Sequence, residues 1–136
     1  MANLTFIERA NIEKFLGMKS GYVMDFSDKT FHEFVGEITG LDINDAQYHY
    51  ASNSKANRLR QFIKVESNYN FGKLLSAFCD YWLSKVHNAE IDPLPDENIY
   101  KECLIIAERL KRENIVEHID VIRPNSDDRD FTILAK

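Results

Sequence analysis

The sequence predicts a mainly helical single domain, a bundle of five to six helices with at most a minor strand pair. Three observations carry that expectation. Apolar residues recur every three to four positions in successive stretches, and capping residues or glycines stand at the ends of those stretches. An apolar content of 44% over 136 residues then suffices to bury one core, so residues 1–136 read as one domain.

Phe6, Ile7, Ala10, Ile12, Phe15 and Leu16 predict a first helix, with Gly17 placed as a left-handed C-cap. The segment from Gly21 to Phe26 is short, apolar and bounded by Gly21 and Ser27, which predicts either a small strand or a tight buried turn. Ser27 or Asp28 caps a second helix carrying Phe31, Phe34, Val35 and Ile38 and stopping near Gly40. Residues 44–53 turn polar and aromatic, with Tyr48, His49 and Tyr50, and read as a loop suited to recognition. Ser54 then caps a third helix from Lys55 to about Val65. Ala56, Leu59, Phe62 and Ile63 form its apolar side, and Arg58, Arg60 and Lys64 fall largely elsewhere.

Asn68 or Asn70 starts the longest apolar helix, in which Leu74, Leu75, Phe78, Tyr81, Trp82 and Val86 recur around Gly72 and Ala77; it is the expected centre of the core. Pro93 and Pro95 make residues 88–98 a linker, after which Asp96 caps a helix through Tyr100, Cys103, Leu104, Ile106, Ala107 and Leu110. Asn114 and the β-branched pair Ile115 and Val116 predict that this helix ends between Arg112 and His118. Residues 125–136 read as a linker and the start of a following helix, capped by Asp127 and Asp128 and carrying Phe131, Ile133 and Leu134.

A net charge of -5 excludes a general nucleic-acid coat, which needs a positive field over the whole fold. Locally the sign reverses. Between residues 55 and 73, Lys55, Arg58, Arg60, Lys64 and Lys73 face only Glu66, five cations against one carboxylate, or +4. A helix N-terminus followed by cations suits phosphate oxygens, and Tyr48 and Tyr50 just upstream suit base stacking. The same cations also suit a protein partner, or ion pairs within the domain to Asp25, Asp28 or the acidic cluster from Asp127 to Asp130.

Catalytic chemistry has little to work with. Cys79 and Cys103 lie in apolar stretches without a CxxC spacing and read as buried thiols of raised pKa. His32, His49, His87 and His118 stand apart from one another and from cysteine, so no metal site is expected. Gly17 to Gly21 lacks the ending of a phosphate-binding loop, and the expectation is no catalytic residue and no cofactor. Arg112 and His118 have the spacing of a HEPN-type ribonuclease pair, but the predicted helix end between them argues against one working face. Glu8, Arg9, Glu13 and Lys14 oppose a signal peptide, and no stretch is apolar enough to span a bilayer; a cytoplasmic protein without membrane contact is expected.

Two segments stand out as a pair: Phe15-Leu-Gly-Met-Lys-Ser-Gly-Tyr-Val-Met-Asp-Phe-Ser27 and Ser54-Lys-Ala-Asn-Arg-Leu-Arg-Gln-Phe62. Together they resemble the N-terminal domain of AbiJ-type bacterial abortive-infection proteins. The resemblance implies a non-catalytic sensing or regulatory module of an antiphage protein, placed ahead of an effector half that is often a HEPN-type ribonuclease. It implies as partner an effector domain or another protein, with a second copy of the chain as a further candidate. Gly17, Gly21, Tyr22, Asp25, Phe26 and Ser27 are then architectural, with Tyr22 and Asp25 locking a turn. The alternative is a small nucleic-acid-binding regulator using the basic helix over residues 54–65.

Overall fold

The computed structural model describes residues 2–122, with side chains through residue 113. The helical class holds: five α-helices and two short 3₁₀ turns, with no strand among the described residues. Helix α1 spans Phe6–Leu16, and its start is a capping box in which Thr5 accepts from the Glu8 amide at 3.1 Å while Glu8 accepts from the Thr5 amide at 3.0 Å. Gly17 ends it at φ 65, as predicted. Helix α2 spans Asp28–Thr39 between Ser27, bonded to Thr30 in the same reciprocal way, and a left-handed Gly40.

Helix α3 spans Lys55–Val65 and α4 spans Asn68–His87. Ser54 and Ser67 each accept from the amide three residues on, at 3.1 Å. Helix α5 spans Glu97–Ile122 without interruption, so the predicted end before His118 is overturned. No glycine or proline falls between Glu97 and Ile122, and β-branched residues lower helix propensity by only a fraction of a kcal/mol each. Arg112 and His118 thus share one helix, but six positions at ~3.6 residues per turn set them roughly 120° apart around its axis. The expected helix start within residues 125–136 and the acidic cluster from Asp127 to Asp130 lie outside the described residues.

The predicted central helix is central. Helix α4 packs along α5 on one side and against α2 on another, and α1 also lies on α5. Gly72 permits the first crossing: a Cβ there would stand 2.9 Å from Lys111 Cγ and 3.0 Å from Leu110 Cβ. Phe71, Leu74, Leu75, Phe78 and Cys79 of α4 are fully buried, with Cys103, Ala107 and Leu110 of α5 facing the same core. Each large apolar side chain so buried contributes about 1.5–3 kcal/mol.

The strand alternative for Gly21 to Phe26 fails, and the tight buried turn stands. Met24 adopts φ 48 and its amide reaches back to Leu16 O at 2.7 Å, while Val23 and Phe26, three positions apart, both point inward. A strand would send them to opposite faces. Phe26 meets Phe34 and Tyr81 with ring centroids 4.9 and 4.7 Å away, so the second helix does pack by its phenylalanines. Phe6 and Ile7, counted above with the apolar positions of α1, are exposed; the helix buries Ile12, Phe15 and Leu16.

Candidate functional site

The two segments that stand out in the sequence meet in space as one joint. The Ala56 amide, in the first turn of α3, donates to Gly21 O at 3.0 Å, and the Lys55 ammonium sits 5.0 Å over the Tyr22 ring. Gly21 is required here: it holds φ 92, and an added Cβ would already stand 3.4 Å from Ser54 Cβ. Ser27 caps α2, and Gly17 turns the chain out of α1. Asp25 accepts from the Tyr81 hydroxyl at 2.7 Å and pairs with Lys85 at 2.6 Å, which ties the turn to α4. Burial pushes the Asp25 carboxyl up, but the bonds from Lys85 and Tyr81 outweigh it and leave its pKa lowered.

Three of the seven predicted contact residues, Lys55, Arg58 and Tyr48, are taken up by internal packing and pairing. Arg58 is a buried residue, 6% exposed, and not part of an open basic face. Its guanidinium donates to Asp28 Oδ1 at 2.7 Å, to Asn53 O at 3.3 Å and to Asn44 Oδ1, and lies 6.0 Å over the Phe31 ring. Its helical phase puts it there: Arg58 neighbours Leu59 and follows Ala56, so it falls on the edge of the inward face. Lys55 lies 3.9 Å from the same Asp28 carboxylate, with little of its side chain open to solvent. Tyr48 is fully buried against Phe62 and donates to Glu66 at 2.5 Å, so it offers no stacking face; burial and then the Glu66 carboxylate raise its pKa. Lys73 stands on α4, 4.8 Å over Tyr69, apart from the others.

What remains is a cleft between α1 and α3. Arg60, Lys64 and Tyr50 line a cavity of about 230 Å³ together with Arg9 of α1, over the aliphatic residues Ile12 and Ile63. A more open cavity of about 590 Å³ adjoins it, sharing Glu13 and Arg60 and bordered by Lys14 and Lys19. Arg60 is held fork to fork by Glu13, at 2.9 and 2.8 Å, and also reaches Asn57 Oδ1 and Met18 O. That hydrogen bond holds the Glu13 carboxyl below its usual range and raises Arg60 in return. Lys64 hangs 5.8 Å over the Tyr50 ring, and Tyr50 is 48% exposed. The two cavities gather five cations, Arg9, Lys14, Lys19, Arg60 and Lys64, around the single carboxylate of Glu13.

Arg9 and Lys14 carry no signal in the sequence, because Glu8 and Glu13 stand beside them and cancel their charge, and Lys19 follows as a lone cation. In the fold, Glu8 turns away to Arg109 at 2.9 Å and Glu13 is taken by Arg60, which leaves the cations of α1 facing the cleft. Both thiols are unpaired and buried, and burial pushes each up to about 12, as predicted. Among the described residues, no three His, Cys, Asp or Glu side chains gather into a metal-holding group, and no helix is long and apolar enough to cross a membrane.

No family model matches the chain, nor does any curated protein or solved structure.

Proposed function

We propose that this chain is a non-catalytic recognition module that receives an anionic partner in the α1–α3 cleft and passes its occupancy to an effector half. The observation that carries this is the cationic surplus of the cleft. Arg9, Lys14, Lys19 and Lys64 have no ion-paired carboxylate among the described residues, whereas Lys55 and Arg58 share the carboxylate of Asp28. The resemblance to AbiJ-type N-terminal domains supplies the biological setting: a bacterial antiphage protein acting in the cytoplasm, its trigger sensed here and its damage done elsewhere.

The relay follows from Arg60. An incoming anion competes with Glu13 for its guanidinium, whose Nη2 also holds Met18 O. Occupancy thereby alters the same turn that carries Gly17, Gly21 and the joint to α3. A ligand shifts such an arrangement only by as much as it binds the altered state more tightly.

Binding of fluorescein-labelled heparin, a generic polyanion, at low and physiological salt tests the reading. The native chain is expected to bind with a steep loss on adding salt, and the Arg9→Glu/Lys64→Glu variant to bind at least tenfold more weakly. Absence of binding at low salt, or undiminished binding by the variant, overturns it.

A further inference from the structure

The charge surplus accounts for an anion, but not for the rest of the cleft. Ile12 and Ile63 line it beside the cations, and Tyr50 stands at its margin with nearly half its surface open. A bare anion needs neither an aliphatic wall nor an aromatic ring, since both exclude the water that would solvate it. A ligand that is flat and apolar at one end and anionic at the other needs both. We infer that the cleft takes a nucleotide unit, with its base against Tyr50 and its phosphates running past Arg60 toward Lys14 and Lys19. This rests on the reading of the cleft as the recognition site, and it names the chemistry of the ligand.

Three features agree with that placement. The cavities of about 230 and 590 Å³ meet at the Glu13–Arg60 pair, so the smaller, Tyr50-lined one receives base and sugar while the larger opens along Lys14 and Lys19. Together they reach the size of small-molecule sites, roughly 300–1,000 Å³. The fork-to-fork contact of Arg60 with Glu13 shows the guanidinium presenting a paired edge to a planar anion, and a phosphate accepts the same two bonds. The Lys64 ammonium lies 5.8 Å over the Tyr50 ring; a base stacking on that face takes its place, and the displaced ammonium then stands at the edge of the base, where a ribose phosphate would fall.

The nucleotide has two sources, free in solution or part of a single strand, and titration calorimetry on the full chain separates them. The probes are ATP, AMP, adenosine, inorganic tripolyphosphate, an oligoadenylate RNA, poly-glutamate and heparin. ATP is expected to bind at least about fivefold more tightly than either adenosine or tripolyphosphate. Tyr50→Leu is expected to weaken ATP about 5- to 100-fold and to leave tripolyphosphate unchanged. Lys14→Glu/Lys19→Glu should weaken ATP more than AMP. Tighter binding of the RNA than of ATP, with the same loss in Tyr50→Leu, supports the inference and assigns the strand as source; the reverse order supports it and assigns the free nucleotide.

Tripolyphosphate binding as well as ATP, with Tyr50→Leu silent, overturns the nucleotide and leaves a simple anion site. Tighter binding of poly-glutamate than of any nucleotide overturns it in favour of an acidic protein. Failure of every probe, heparin included, removes the recognition site itself. The altered side chains are all exposed, and unchanged thermal melts of the variants separate lost binding from lost folding.

Discussion

Replacing Arg58 with alanine separates a buried structural arginine from an open contact residue. The change removes donors to Asp28, Asn44 and Asn53 O and the guanidinium that lies over the Phe31 ring. Hydrogen bonds from a charged group contribute about 1.5–3 kcal/mol each where the partner is left dry. Here the partners are wet: the Asp28 side chain is 75% exposed, so solvent recovers most of what its bond contributes. The lost packing of a 6% exposed side chain and the weakened loop contacts to Asn44 and Asn53 remain, for a net cost of about 2–3 kcal/mol. At roughly 3–5 °C per kcal/mol for a domain of this size, the melting temperature should fall by about 6–15 °C. Thermal unfolding followed by far-UV circular dichroism measures it, with Lys64→Ala alongside, which should stay within about 0.5 kcal/mol of the native chain. Equal and small losses in both variants would refute the assignment of Arg58 to the architecture.

Gly72→Ala should cost about 1–3 kcal/mol in urea unfolding, because Lys111 Cγ can move aside but Leu110 Cβ and the Lys111 amide, both 3.0 Å from the new Cβ, are fixed in α5. Glu13 and Asp25 have lowered pKa values, so the stability they contribute is present above the ordinary carboxylate range and is lost as pH falls through the depressed folded values. The melting temperature should therefore drop below about pH 4.3, and less steeply in Glu13→Gln/Asp25→Asn; an identical slope in that variant would contradict the pairing. Cys79 and Cys103, held up to about 12, should resist a thiol reagent at mild alkaline pH until urea exposes them, and prompt labelling of the folded chain would contradict their burial.

The sequence held the helices and withheld the surface. Gly17, Ser27, Gly40 and Ser54 punctuate the chain because each satisfies orphan backbone groups locally, and such requirements are visible in a few neighbouring residues. The continuous α5 was hidden because the Ile115–Val116 pair and the next glycine or proline give conflicting local signals. The site was less legible because charge counted along a chain ignores where carboxylates turn. Residues 55–73 sum to a positive stretch, yet Asp28, distant in sequence, pairs with Arg58 and lies 3.9 Å from Lys55. Residues 8–14 sum to nothing, yet losing Glu8 to Arg109 and Glu13 to Arg60 leaves Arg9 and Lys14 as open cations. Tyr48 and Tyr50 look alike in sequence; one fills the core beneath Phe62 and the other stands over the cleft.

Mapping backbone amide chemical shifts of the labelled chain during titration with heparin tests the central claim most directly. The perturbed amides should cluster on α1 around Arg9 to Lys14, on the turn through Lys19, on α3 from Arg60 to Lys64, and at Tyr50. Perturbations centred on Lys55, Arg58 and Lys73, with residues 9–19 silent, would contradict it.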